Sequence, residues 1–183
     1  MRTFVSLVGV DLGFNPRNLF IANVSFPAGQ APSGDAKQQF YANALHRIRT
    51  IPGVQAASVS TSVPPFGGSR TGLLIPGVAL PVNSSTNLYF CSEDFLATVG
   101  LRLVAGRMFS ANDVASARRV ALINETLATR YFGEPRPLGR PIQLPRLTAP
   151  PLSVADPSFE VVGIVQDVRN QGIRDAAYPQ AYL

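Results

Sequence analysis

The chain has no tryptophan, one cysteine and one histidine, and of its 16 basic residues only Lys37 is a lysine. A single cysteine, Cys91, excludes an internal disulfide, and a single histidine, His46, excludes a multi-histidine metal site. Any histidine-dependent nucleophilic mechanism has to use His46, which falls mid-helix on a solvent-side position. No apolar run reaches the ~20 residues of a membrane helix. The segment Phe4–Val10 is too short to span, and it lacks the basic start and cleavage site of a signal peptide. It reads either as a core strand or as the junction left by a preceding membrane helix. Charged residues are scarce too, at 15% against 46% hydrophobic, a balance that fits a folded globular chain and not a disordered one. The net charge of +5 is carried by arginines dispersed from Arg2 to Arg174. A nucleic-acid surface gathers them into a stripe with aromatics between, so no nucleic-acid partner is expected.

What is plentiful is punctuation: 16 prolines and 15 glycines, many in short clusters that read as loops. Between them, residues 35–68 form the most legible stretch. Asp35 with Gln38 has the form of a capping box. Phe40, Tyr41, Ala44, Leu45, Ile48 and Ile51 recur at helical spacing. Pro52 and Gly53 stop that helix, and Ala57, Val59, Thr61 and Val63 alternate with serines as in a strand buried on one side, until Pro64-Pro65 ends it. Before it, Leu19–Phe26 reads as a strand and residues 27–34 as a loop. This strand, helix, strand unit needs partner strands from far along the chain.

From Gly67 to Arg119 short apolar pieces alternate with turns. Ser92 is placed to cap a brief helix over Glu93–Val99 that Gly100 stops. Leu101–Phe109 reads as strand and loop, and Ser110–Asp113 opens another helical turn. A second unit starts at Val120–Ile123, a strand feeding Asn124 as a helix cap, with Leu127, Ala128, Tyr131 and Phe132 on the inner face and Gly133 and Pro135 at the end. Leu138–Leu144, with Pro141 inside, reads as an edge strand, and Pro145–Pro157 as a proline-rich excursion. Phe159–Val165 is apolar at nearly every position, as in a central strand covered on both faces. The expected class is therefore α+β: a ferredoxin-like split βαβ lobe over 1–67 and 118–183, porter-like by the resemblance given below, carrying an inserted smaller α+β lobe over 68–117.

The chemistry-bearing candidates have structural explanations. The Gly67–Gly72 loop lacks the lysine and following helix of a phosphate loop and reads as a connector. Glu93 and Asp94 suit the positive end of a helix. Asp167 and Arg169 share a strand face and suggest an ion pair. Cys91 reads as a small buried hydrophobe. The Asn23, Asn83 and Asn124 triplets match the glycosylation pattern only formally, the first and last falling inside predicted elements. No catalytic, cofactor or metal residues are expected. Hinge or partner-surface positions are expected at the two crossings between lobes, Pro65, Phe66, Gly67 and Gly68 and then Ala117, Arg118 and Arg119. Should a ligand occupy the groove between lobes, Phe66 and Tyr89 are the apolar groups expected to line it.

Five stretches in fixed order carry a resemblance: Ile51-Pro52-Gly53-Val54 with Ser60 to Gly68; Phe95-Leu96-Ala97-Thr98-Val99-Gly100; Leu103 to Phe109; Val120 to Glu125 with Tyr131-Phe132; and Glu160 to Arg169. Together they resemble the MacB-like periplasmic core domain of FtsX-type ABC permeases, above all the large acidobacterial orphan permeases of that group. The resemblance implies an extracytoplasmic, non-catalytic domain between the first two membrane helices of a permease half, on the periplasmic face of a bacterial inner membrane. Implied partners are the membrane helices of the same permease, a cytoplasmic ATPase acting through them, a second permease half and, for some members, a periplasmic adaptor. The expected role is relaying conformational change across the membrane or docking partner proteins, the alternative a module holding a peptide or lipid-like ligand.

Overall fold

A computed structural model describes residues 12–27, 34–133, 137–169 and 176–183. The segment Phe4–Val10, most of the loop expected at 27–34, and Pro135 lie outside the described residues. The described chain is α+β, as expected: helices and short turns packed on one curled, mixed sheet.

The sheet is built outward from β4 (Val120–Asn124) and β6 (Ser158–Val165), which pair in parallel. The five β4 residues are all buried, which is why the run reads as apolar without alternation. β7 (Gln180–Tyr182) lies antiparallel on the other edge of β4; β2 (Ser85–Tyr89) runs parallel to β7, and β1 (Ser69–Gly72) pairs antiparallel with β2. The far edge of β6 is shared end to end. β3 (Leu103–Gly106) pairs with its last residues, Gly163–Val165, and β5 (Pro141–Gln143) with its first, Ser158–Glu160. Beyond β1, Leu74 and Gln143 of β5 exchange two backbone hydrogen bonds of 3.0 and 2.8 Å, so the sheet curls until its two sides meet.

Period-two alternation sorts the side chains into two cores. Leu88, Ala121, Ile123, Val161 and Ala181 face one cluster, closed by Leu127, Phe132, Ile142 and Leu147; Tyr89, Leu122, Val162, Val165 and Tyr182 face the other. Each fully buried leucine or isoleucine contributes about 1.5–3 kcal/mol. The second cluster is closed by α2 (Phe95–Thr98), whose Phe95 and Leu96 are buried, followed by Val99 and Leu101. Asn124 caps α4 (Glu125–Leu127) as expected, its Oδ1 accepting from Leu127 N at 3.0 Å. The helix continues as a π-turn over Ala128–Phe132. The proline-rich excursion contains a 3-10 turn, Pro145–Thr148, that drives Leu147 into the first core.

The sheet also runs across both boundaries of the expected insert. β1, β2 and β3 come from 68–117, yet β2 pairs with β7 and β3 with β6. The physical reason is that these short strands cannot satisfy their own ladders and find partners in the long β6 and in β7. The Gly67–Gly72 stretch is correspondingly no loose connector, because Ser69–Gly72 is β1.

The first strand, helix, strand unit differs most from expectation. α1 (Gly34–Arg49) forms, but Asp35 lies inside its first turn and none of its residues is buried. Residues 19–26 form neither helix nor strand, with Phe20 90% exposed. Residues 57–63 make a single bridge, Ser60 to Cys91, in place of a strand. The partner strands this unit was expected to find late in the chain are taken instead by β2, which pairs with β7, and by β3, which pairs with β6. A small aromatic cluster remains: Phe26 packs edge-on against Phe40 and Tyr41, centroids 5.4 and 6.5 Å away.

Candidate functional site: the sheet end that carries both crossings

Register places the two crossings at the same end of the sheet. Ser69, Leu88, Ala181 and Ile123 lie level across β1, β2, β7 and β4. Gly68 and Arg119 therefore both enter their strands from one side, with β2 and β7 between them. The structure brings the two segments to one end of the sheet without bringing them into contact in the ladder.

Each crossing is tied down. Phe66 N donates to Val63 O at 2.9 Å, Tyr89 Oη to Phe66 O at 3.3 Å, and Ser62 Oγ to Gly67 O at 3.1 Å. The Phe66 ring is 66% exposed above this turn. At the second crossing Ala117 takes a left-handed φ of 48°, Arg118 N donates to Asp113 O, and two ion pairs follow: Arg118–Glu160 at 3.2 Å and Arg119–Asp156 at 3.0 Å. All four side chains of these pairs are substantially exposed, so the pairs orient the segment more than they stabilise it.

Just before that crossing lies the strongest charged unit in the described chain. Ser110 caps α3 (Ala111–Ala115) in a capping box with Asp113, and Arg107 grips the Asp113 carboxylate with both terminal nitrogens, at 2.6 and 2.8 Å. The Arg107 guanidinium, then the Ser110 hydroxyl, hold the Asp113 carboxyl well below the usual carboxylate range. Sequence reading found the helix start here but not the arginine. Asp113 as the cap's third residue, with Arg107 six positions earlier, was the signal available.

An open depression of about 380 Å³ lies at this end, lined by Arg107, Arg118, Leu138, Gly139 and Glu160 together with β6 backbone. It does not include the apolar pair expected to line a ligand groove. Tyr89 is buried and stacked on Tyr182, centroids 5.0 Å apart, while Phe66 points outward. Burial raises the Tyr182 phenol well above its usual range, with the Tyr89 ring adding to it, and pushes the Cys91 thiol up to about 12. Cys91 is thus held in the thiol form, its Sγ donating to Leu183 O.

The remaining candidates sit elsewhere. His46 is exposed on α1. Asp94 binds Arg49 at 2.7 Å, and the expected cap, Ser92, instead accepts from Val59 N, because the helix starts later, at Phe95. The Asp167 carboxylate is held by Asn124 Nδ2 at 2.6 Å and by Thr126 N and Oγ1 at 2.9 and 2.7 Å. That polar joint between β6, β4 and α4 takes the place of the ion pair expected from strand alternation. Asn124 is fully buried in it and unavailable for modification. Among the described residues, no group of three or more His, Cys, Asp or Glu is placed to hold a metal, and no helix is long and apolar enough to cross a membrane.

Comparison with known proteins closes the identification. The model of the MacB-like periplasmic core domain matches residues 6–182. The macrolide export ATP-binding/permease protein MacB of Aggregatibacter actinomycetemcomitans is 27% identical over 99 residues, 54% of this chain and 14% of that protein. The crystal structure of the periplasmic region of MacB from Actinobacillus actinomycetemcomitans superposes with a TM-score of 0.52 at 19% identity, over 77% of this chain and 53% of that one. The extracellular domain of the noncanonic ABC-type transporter YknZ from Gram-positive bacteria gives 0.52 at 16% identity, over 76% and 59%. Similarity at these identities shows a shared fold, and the chain spans a little over half of the solved relatives. With its family model matched almost end to end, the chain belongs to the MacB-like periplasmic core domain family.

Proposed function

We propose that this chain is a non-catalytic extracytoplasmic domain of an ABC transporter permease, held at the outer face of a bacterial inner membrane, where it relays conformational change or docks partner proteins. The observation that carries this reading is the family match over residues 6–182. Its partners on this reading are the membrane helices of the same permease, a cytoplasmic ATPase acting through them, a second permease half and a periplasmic adaptor. The architecture suits mechanical work: a curled sheet whose sides meet, with both crossings, Pro65–Gly68 and Ala117–Arg119, displayed at one end as the candidate hinge or partner surface. Both are pinned by hydrogen bonds, which favours a surface that moves as a body over one that flexes locally.

The alternative, a module holding a peptide or lipid-like ligand, draws less support, because the depression is open and the charges around it, Arg107, Arg118 and Glu160, are already paired. The test is a reconstituted transporter lacking this domain. Basal ATP hydrolysis is expected to persist while its coupling to substrate or adaptor disappears; full coupling without the domain would overturn the relay.

A further inference from the structure

The arm, described at residues 20–27 and 34–56, leaves the sheet and returns to it, and each of its two attachments includes bonds to residues 92–99. On the way out, the strap at Leu12–Asn15 threads between α2 and the end of β6. Asn15 N donates to Val99 O at 2.9 Å, just past the last turn of α2, and Arg169 N donates to Leu12 O at 3.1 Å. The fit is tight: Gly13 has a φ of 77°, and a Cβ there would lie 1.9 Å from Asp167 O. Gly100, at φ 72°, would bring its Cβ to 3.0 Å from that of Asn15. Phe14 and Leu19 pack on the same core that receives Phe95, Leu96 and Val99.

On the way back, Arg49 Nη2 reaches Asp94, immediately before α2, at 2.7 Å, and also donates to Ala57 O at 3.0 Å. Val59 and Ser92 then exchange two hydrogen bonds, Ser92 N to Val59 O at 2.9 Å and Val59 N to Ser92 Oγ at 3.1 Å. Outgoing chain thus grips one end of α2 and returning chain the other. Between these grips α1 buries no residue. α2 itself is anchored by two fully buried side chains, Phe95 and Leu96, and Val99 just past its end joins them against β4 and β6 residues in the second core.

We infer that residues 92–99 are a bracket through which displacement of the α1 arm is delivered to the sheet, with the Arg49–Asp94 pair as its releasable half. This deepens the relay reading by naming where the relay enters the sheet, and rests on it for its biological use. The strap grip is made by backbone and core packing and stays closed; the Arg49 grip is a half-exposed ion pair, open to competition by salt or a charged partner.

The test measures the arm directly in this chain, independently of any transporter, so its failure leaves the relay reading standing. Spin labels at Lys37→Cys on α1 and Val104→Cys on β3, both exposed, are introduced in a Cys91→Ala background and their separation read by pulsed dipolar spectroscopy. One narrow distance is expected with Arg49 in place. Arg49→Ala should lose it to a broad distribution, and Arg49→Asp combined with Asp94→Arg should restore it, while the thermal transition of the sheet is unmoved. A narrow distance surviving Arg49→Ala, or a broad one already present with the pair intact, would overturn the inference.

Discussion

Residues 19–26 and β4 begin from comparable raw material, each a short run rich in Val, Ile, Leu or Phe, and they end in opposite environments. In β4, Ala121, Leu122 and Ile123 have no exposed surface, whereas in the arm Phe20 is almost fully exposed and Val24 is half exposed. Intrinsic strand propensity is the same kind of signal in both, so the difference lies in partners. β4 has β6 and β7 on its two edges, while residues 19–26 of the arm have no ladder. A strand is a property of a pair, and apolar alternation predicts the willingness to pair without naming the mate.

The sharpest way to break this contrast is truncation of matched aromatics. Phe95→Ala, in the second core, should cost about 3–5 kcal/mol in urea unfolding, whereas Phe40→Ala on α1 should cost far less. Equal losses would mean that the arm is packed as the sheet is. Next in size, Asp113→Ala removes the acceptor that Arg107 and Ser110 share and should cost about 1.5–3 kcal/mol. A smaller effect follows with pH. The Asp113 carboxyl is depressed in the folded state, so its contribution is complete above the unfolded carboxylate value near ~3.9 and drains away as pH falls through the lower folded value. Urea midpoints of the parent chain should therefore drop on acidification below about pH 4, and Asp113→Asn should flatten part of that drop. Smallest of all, Phe20→Ser should change stability by no more than about 0.5 kcal/mol, since the ring has little contact to lose.

How far the sequence could be read follows the distance between interacting residues. The β4–Asn124–α4 junction was legible because strand, cap and helix lie within a few residues. β6 was legible because Val161, Val162, Ile164 and Val165 make it apolar at nearly every position, as a strand covered on both faces is. Capping was misjudged at Ser92 because a side chain that suits a cap is equally content with a backbone amide elsewhere, and Val59 supplied one, whereas Asp35 falls inside the first turn of α1. The reach of Asp167 to Asn124 and Thr126 spans more than forty positions and leaves no local trace. Nor does the choice of β7 as neighbour to β2, which decides that strands from 68–117 share the sheet with those from 118–183. The crossings at Gly67–Gly68 and Ala117–Arg119 were visible as punctuation, but their place at the same end of the sheet emerges only from register.

The contact between Leu74 and Gln143 gives the sheet a material character that its strand order does not suggest. An open strip of strands bends and twists cheaply, and a push on one margin dissipates before reaching the other. A hoop joined by even one pair of amides is loaded all the way round, so a force applied at the end carrying both crossings is borne together by β1, β2, β7, β4, β6 and β5.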